Sequence, residues 1–144
     1  MKPFRERYDP SAAAGLPAHI TLLYPFKPPD DINAAVLNSL RRLFAKVAPF
    51  RFSLGIVRRF DAPVAVLYLA PEPDEVFRQL TMPIWQRYPE KPPYRGSFEE
   101  IVPHLCLAQL ASLRRCDHVA DEFCPGQQRE VADSRDRDRH NFDG

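Results

Sequence analysis

The chain has 144 residues, about the length of one ordinary domain, and its 44% apolar and 27% charged residues are typical of a globular protein with a real core. A net charge of +1 excludes a global field that would concentrate nucleic acid or an anionic membrane. No run approaches the roughly 18 apolar residues of a membrane span. With three cysteines and a charged amino terminus that lacks an apolar leader, a disulfide framework is not expected, and we predict a cytoplasmic protein without a membrane partner.

The first half of the chain predicts a strand followed by a helix. The sixteen prolines of the whole chain fall mostly between apolar runs and predict short, sharply bounded elements. Residues 18–24 are mostly apolar and predict a strand that Pro25 ends. Residues 32–48 carry apolar side chains at three- and four-residue steps, which predicts an amphipathic helix capped by Asp30 or Asp31.

The middle of the chain predicts two further strands, a helix and a last strand. Residues 50–60 alternate and residues 63–70 are continuously apolar, so the short link between them predicts a hairpin. Residues 73–88 predict a helix with Asp74 near its start, and residues 101–110 predict a strand. The order strand, helix, strand, strand, helix, strand indicates an α+β fold rather than a regular βαβ series.

The character of the chain changes after about residue 112. Residues 111–123 predict a modest helix, and the polar stretch 124–144 contains only three aliphatic or aromatic side chains. Such a composition cannot bury enough surface to offset the entropy of ordering, so we expect it to be mobile or held only by a neighbour. The predicted organisation is one domain over residues 1–112, followed by the helix and polar tail over residues 113–144.

Two short stretches share an uncommon pattern. PAHITL at 17–22 and VPHLCL at 102–107 each place a proline and a small or apolar residue before a histidine, and follow it with an apolar residue, a hydroxyl or thiol residue and leucine. Side chains two apart on a strand point to the same side. If the two strands are neighbours, they place these four side chains on one cleft: His19, Thr21, His104 and Cys106.

Two imidazoles across a cleft suit phosphodiester cleavage. The ordinary pKa of histidine is about 6.5, so one ring can take a proton from the nucleophile while the other gives one to the leaving oxygen. This chemistry requires no metal and no cofactor. The Thr21 hydroxyl would bind a phosphate oxygen beside His19.

The segments RERYDPSAAAGLPAHITLLYPFKPPDD and PPYRGSFEEIVPHLCLAQL resemble the two-histidine (2H) phosphoesterase superfamily, which includes 2'-5' RNA ligase-like and cyclic phosphodiesterase proteins. The resemblance implies a bilobal α+β fold with antiparallel sheets around a central cleft and helices outside. It implies that His19 and His104 are the acid/base pair and that Thr21 binds phosphate. The substrate it implies is a 2',3'-cyclic phosphate or a 2'-5'-linked nucleotide or RNA ester, so the expected partner is a nucleotide or RNA-terminal phosphate.

Three features depart from the family's pattern. Cys106 stands where the family usually has threonine or serine, and a thiol is the weaker hydrogen-bond donor. The family usually begins with a strand ahead of the RYDP region, and we expect this chain to lack that strand. The family also closes its second lobe with further strands, which the polar tail of this chain does not resemble. We therefore expect a fold that is incomplete at both termini, with open sheet edges through which a homodimer would form.

Several alternatives stay open from the sequence. The chain could be a catalytically silent module that binds nucleotides or RNA ends, or the product of a damaged reading frame. Cys106 could be a small buried hydrophobe instead of a phosphate contact, and a nucleophilic role is a further alternative. Tyr94 and Arg95 could close over a substrate or form an ordinary solvated loop. The cysteines and histidine of residues 116–124 lack the paired CxxC spacing of dependable zinc sites, so no metal site is predicted.

Overall fold

The computed structural model describes residues 1–61, 64–90, 92–93, 101–125 and 130–131. The fold is α+β, as the sequence predicts. In chain order its elements are α1 (Lys2–Tyr8), α2 (Pro10–Ala13), a 3₁₀ turn (Pro29–Asp31), α3 (Ala34–Phe44), β1 (Ser53–Phe60), β2 (Ala65–Glu72), α4 (Glu75–Arg87), β3 (Leu105–Leu110), α5 (Leu113–Phe123) and β4 (Glu130–Val131). None of the helices in these ranges has the length and apolar character to cross a membrane.

The chain divides into two compact units. Unit 1 comprises Met1–Ile20, Leu54–Pro71 and His104–Gly144, and unit 2 comprises Thr21–Ser53 and Glu72–Pro103. The boundary between the units therefore falls inside the first histidine motif, between Ile20 and Thr21.

The strands of the fold form one sheet in the order β3-β2-β1-β4. The first three strands are antiparallel, and β4 adds to β1 in parallel. The predicted hairpin and the predicted last strand are thus confirmed as β1, β2 and β3. Tyr68 of β2 lies opposite Cys106 of β3, with a register shift between Leu67 and Tyr68. The described ranges contain this one sheet, whereas the resemblance implied more than one.

One face of the sheet forms the core of unit 1. Strand alternation directs Leu67 and Leu69 of β2 to the same side, where they meet Leu105 and Leu107 of β3. The predicted helix over 111–123 is confirmed as α5, and its buried side chains complete this cluster. The core of unit 1 therefore continues past residue 112. The polar tail beyond residue 131 lies outside the described residues.

Two helices at the amino terminus have no counterpart in the sequence prediction. Pro3 lies in the first turn of α1, where its missing N–H costs nothing. Asp9 caps α2 by accepting a hydrogen bond from the backbone N–H of Ser11 at 3.0 Å. Phe4 and Tyr8 pack against the core, so α1 lies against β3.

Unit 2 contains α3 and α4, which pack against each other. Both helices are confirmed, but the predicted cap of α3 is wrong. Asn33 caps this helix by accepting from two backbone N–H groups at 3.0 and 3.1 Å, while Asp30 and Asp31 belong to the preceding 3₁₀ turn. Asp74 is the residue before α4, as predicted.

The predicted strand over residues 18–24 is wrong, because this segment has no regular secondary structure. A strand needs a neighbour to complete its hydrogen bonds, and Pro17 and Pro25 supply no N–H at either end. The carbonyl of Leu22 instead accepts a hydrogen bond from the hydroxyl of Thr81 on α4, at 2.7 Å. A side chain thus takes the place that a neighbouring strand would occupy.

Candidate active site

The second histidine motif lies where the chain enters β3. The ring of His104 contacts the rings of Phe60 and Tyr68, with centroids 5.1 and 5.4 Å apart. Phe60 and Tyr68 stack on each other at 4.3 Å. Tyr68 stands between two core leucines of β2, so its ring points to the other face of the sheet. His104 therefore sits on the face of the sheet that does not form the leucine core.

Tyr68 is a candidate functional residue that the sequence motifs did not indicate. It is fully buried, and its hydroxyl has no hydrogen-bond partner among the residues that the structure describes. Burial raises the pKa of Tyr68 to about 12, against an opposing effect of the Arg58 charge. The hydroxyl thus stays protonated at neutral pH. The available signal was a tyrosine inside an otherwise apolar strand. Burying a hydroxyl there without a hydrogen bond costs free energy, which points to a role for this group.

The first histidine motif is exposed and irregular. His19 Nδ1 lies 2.8 Å from the carbonyl oxygen of Pro17. Since a carbonyl can only accept, this contact requires the proton on Nδ1 and leaves Nε2 as the proton-accepting nitrogen of the neutral ring. Thr21, half-buried, begins unit 2. His19 therefore shares unit 1 with His104 and Cys106, while Thr21 belongs to unit 2.

Cys106 follows His104 by two residues on β3. Burial and the neighbouring Asp9 carboxylate raise the pKa of the Cys106 thiol to about 11, although Arg5 acts in the opposite direction. Thiolate is the nucleophilic form, and it is scarce at neutral pH at this pKa, which argues against a nucleophilic role. The neutral thiol keeps a weak S–H donor.

A buried ion pair links the two motif segments, and none of the sequence motifs indicated it. Arg5 and Asp9 are 4% and 1% exposed, and Arg5 Nη2 donates to Asp9 Oδ2 at 2.7 Å. Arg5 Nε donates to the carbonyl of Cys106 at 2.8 Å, and Nη1 donates to the carbonyl of Leu16 at 3.4 Å. The signal was an arginine and an aspartate four residues apart, a spacing that brings two side chains together across the last turn of a helix.

The remaining predicted site residues, Tyr94 and Arg95, lie outside the described residues. Within the ranges that are described, no group of three or more histidine, cysteine or acidic side chains is placed to hold a metal ion.

Comparison with known proteins finds relatives along most of the chain. The family described as the 2'-5' RNA ligase superfamily matches residues 1–135. A Bacillus pumilus protein is 30% identical over 135 residues, covering 83% of this chain and 75% of its own length. A Bacillus licheniformis protein is 33% identical over 110 residues, covering 76% of this chain and 62% of its own length. Both carry the name "Putative phosphoesterase".

A Geobacillus kaustophilus protein that also carries this name is 34% identical over 77 residues, which are 54% of this chain and 44% of that protein. The chain thus spans less than two thirds of the length of two of these three relatives. The resemblance to the 2H phosphoesterases is confirmed at the level of the family.

Proposed function

Because the chain belongs to the 2'-5' RNA ligase superfamily, we propose that it is a phosphoesterase that hydrolyses a 2',3'-cyclic phosphate or a 2'-5'-linked nucleotide or RNA ester. The observation that carries the proposal is that both histidines belong to unit 1. In addition, the guanidinium of Arg5 donates to the carbonyl of Leu16, three residues before His19, and to the carbonyl of Cys106, two residues after His104.

The proposed reaction needs one proton acceptor and one proton donor. His19 holds its Nδ1 proton on the Pro17 carbonyl, so its neutral ring offers Nε2 as the base. Water gives a proton to this nitrogen as its oxygen attacks phosphorus. His104, protonated, gives a proton to the ribose oxygen as the bond from that oxygen to phosphorus breaks. The two rings exchange protonation states in one turnover, and the solvent resets them.

Phosphate binding falls to the residues two positions after each histidine. In this proposal the Thr21 hydroxyl donates to a non-bridging phosphate oxygen. The Cys106 thiol is a weaker donor for the same purpose, and it stays neutral at physiological pH because of its raised pKa. We propose no metal or cofactor for these steps.

A second candidate function is a catalytically silent module that binds nucleotides or RNA ends. Cys106 favours it, because a neutral thiol is a weaker hydrogen-bond donor than the threonine or serine hydroxyl of the family's pattern and gives less support to the transition state of hydrolysis.

The test measures turnover of a panel of 2',3'-cyclic nucleotides and 2'-5'-linked dinucleotides by wild type, His19→Ala, His104→Ala and His118→Ala. His118 is an exposed histidine on α5 and serves as the matched control. We expect kcat to fall roughly 10²- to 10⁴-fold in the first two variants and to be unchanged in the third. The wild-type rate should follow a bell-shaped pH profile, because one ring must be neutral and the other protonated.

Unchanged turnover in both His19→Ala and His104→Ala would reject the two-histidine mechanism. Saturable binding of the same compounds by wild type, without turnover between pH 5 and pH 8, would select the binding module instead.

A further inference from the structure

We propose that Arg5, oriented by Asp9, is a positioning residue of this site. Arg5 sets the spacing between the segment that leads into His19 and the strand that follows His104. The inference rests on the proposed function for its catalytic consequence. The geometric part, that Arg5 governs where both rings lie, is independent of any activity.

The contacts of Arg5 divide among three different parts of unit 1. Nη2 donates to Asp9, which lies between α1 and α2, Nε donates to the carbonyl of Cys106 on β3, and Nη1 donates to the carbonyl of Leu16 after α2. A guanidinium presents its donors in one rigid plane, so these three acceptors are fixed relative to one another. A lysine has a single nitrogen at the end of a flexible chain and cannot reproduce this fork.

The burial and hydrogen bonding of the Arg5–Asp9 pair hold the guanidinium in one position. Both side chains are almost completely buried, and burying two charges carries a large desolvation cost. That cost is tolerable only when the hydrogen bonds are complete. Here one Asp9 oxygen accepts from Arg5 and the other accepts from the backbone N–H of Ser11. An apolar pair of similar volume would fill the space but would leave the carbonyls of Leu16 and Cys106 without these donors.

The carbonyls that Arg5 binds are close in sequence to the reacting rings. Leu16 precedes Pro17, whose own carbonyl accepts from His19 Nδ1. Cys106 follows His104 by two residues on the strand. The first segment lacks the strand pairing that would otherwise fix its position, so a long side chain from α1 supplies the link. A shift of the guanidinium is therefore expected to move both rings.

The test compares Arg5→Lys with Arg7→Lys. Arg7 lies on the same helix, but its ion pair with Glu122 is exposed, so the same substitution there is the matched control. The imidazole nitrogen and proton resonances of His19, His104 and His118 are recorded by NMR well below the unfolding temperature. We expect the His19 and His104 resonances to move in Arg5→Lys while His118 stays unchanged, and we expect Arg7→Lys to move none of the three.

On the 2',3'-cyclic nucleotides turned over by wild type, Arg5→Lys is expected to lower kcat by roughly 10- to 100-fold with KM nearly unchanged, as misplaced catalytic groups do. Asp9→Glu, which keeps the charge and shifts the guanidinium by one methylene, is expected to move the same two rings and serves as a second variant if Arg5→Lys does not fold. A folded Arg5→Lys or Asp9→Glu protein with a lower Tm but unmoved His19 and His104 resonances would overturn the inference. Absence of wild-type turnover would reject the proposed function alone, since the NMR comparison does not depend on it.

Discussion

His104 leads directly into β3 and packs on two aromatic rings, whereas His19 lies exposed in a segment that has no secondary structure. Around β3 the backbone is held by pairing with β2. Around the first motif it is held by side chains, Arg5 at one end and Thr81 at the other. The same short pattern of residues is therefore supported by a sheet in one place and by individual hydrogen bonds in the other.

This difference shows that a local motif specifies chemistry more firmly than it specifies backbone structure. Alternation of residue types allows a strand but cannot supply the neighbour that a strand requires. Where β2 is available, the second motif pairs with it. At the first motif, which has no strand partner among the described residues, the side chains of Arg5 and Thr81 bind the carbonyls instead. Each of these contacts is a point at which a single substitution can detach the motif.

The largest expected effect comes from breaking the Arg5–Asp9 pair, which holds the segment before the first motif and also binds Cys106 in the second. Asp9→Ala leaves the Arg5 charge buried and unpaired, so we expect it to lower the free energy of unfolding by about 3–5 kcal/mol. The matched control is Arg7→Ala, which breaks the exposed pair with Glu122 and should cost at most about 1 kcal/mol. Urea unfolding of both variants measures the difference. Equal losses of free energy of unfolding would show that the buried pair stabilises the fold no more than the exposed pair does.

The support of the second motif is tested by removing a core side chain of β3 itself. Leu107 is 0% exposed, and Leu107→Ala should lower the free energy of unfolding by about 2–5 kcal/mol. Leu16, which precedes the first motif, is 47% exposed, and Leu16→Ala should cost no more than about 0.5 kcal/mol. Denaturant unfolding of the two variants checks this. A comparable loss at Leu16 would mean that the first motif has a packed core of its own.

The smallest expected effect concerns Tyr68, one of the two aromatic residues against which His104 packs. The pKa of Tyr68 rises from 10.0 to about 12 on folding, so the unfolded chain releases this proton at lower pH than the folded protein does. The contribution of the protonated Tyr68 hydroxyl to the free energy of unfolding is complete below pH 10 and is lost as pH rises to about 12. At about 1.4 kcal/mol per pKa unit the loss is at most about 2.7 kcal/mol.

Tyr68→Phe removes this group and should remove that part of the decline. At pH 7 we expect the variant to be as stable as wild type or slightly more stable, because the buried hydroxyl has no partner within the described part of the chain. Unfolding by urea at pH 7, 9 and 11 measures both effects. A loss of more than about 1 kcal/mol at pH 7 would indicate that the hydroxyl is hydrogen-bonded in the folded protein.

Much of the fold was predictable from the sequence because it depends on local patterns. The apolar periodicities of α3, α4 and α5 and the apolar runs of β1, β2 and β3 indicate those elements, because each reflects the face that the element must bury. The cap of α3 was misplaced because Asp30 and Asp31 have the right chemistry for a cap, but the backbone places them in a 3₁₀ turn and leaves Asn33 at the helix start.

For the candidate site, the sequence by itself determined which residue types are present: two histidines in matching surroundings, with Thr21 and Cys106 two positions after them. Only the tertiary structure decided that the first motif is not a strand, that Tyr68 and Phe60 line His104, and that Arg5 binds carbonyls near both motifs. The physical reason is that a side chain's chemistry is carried in the sequence, whereas its hydrogen-bond partners are chosen from whatever the folded chain brings within about 3 Å.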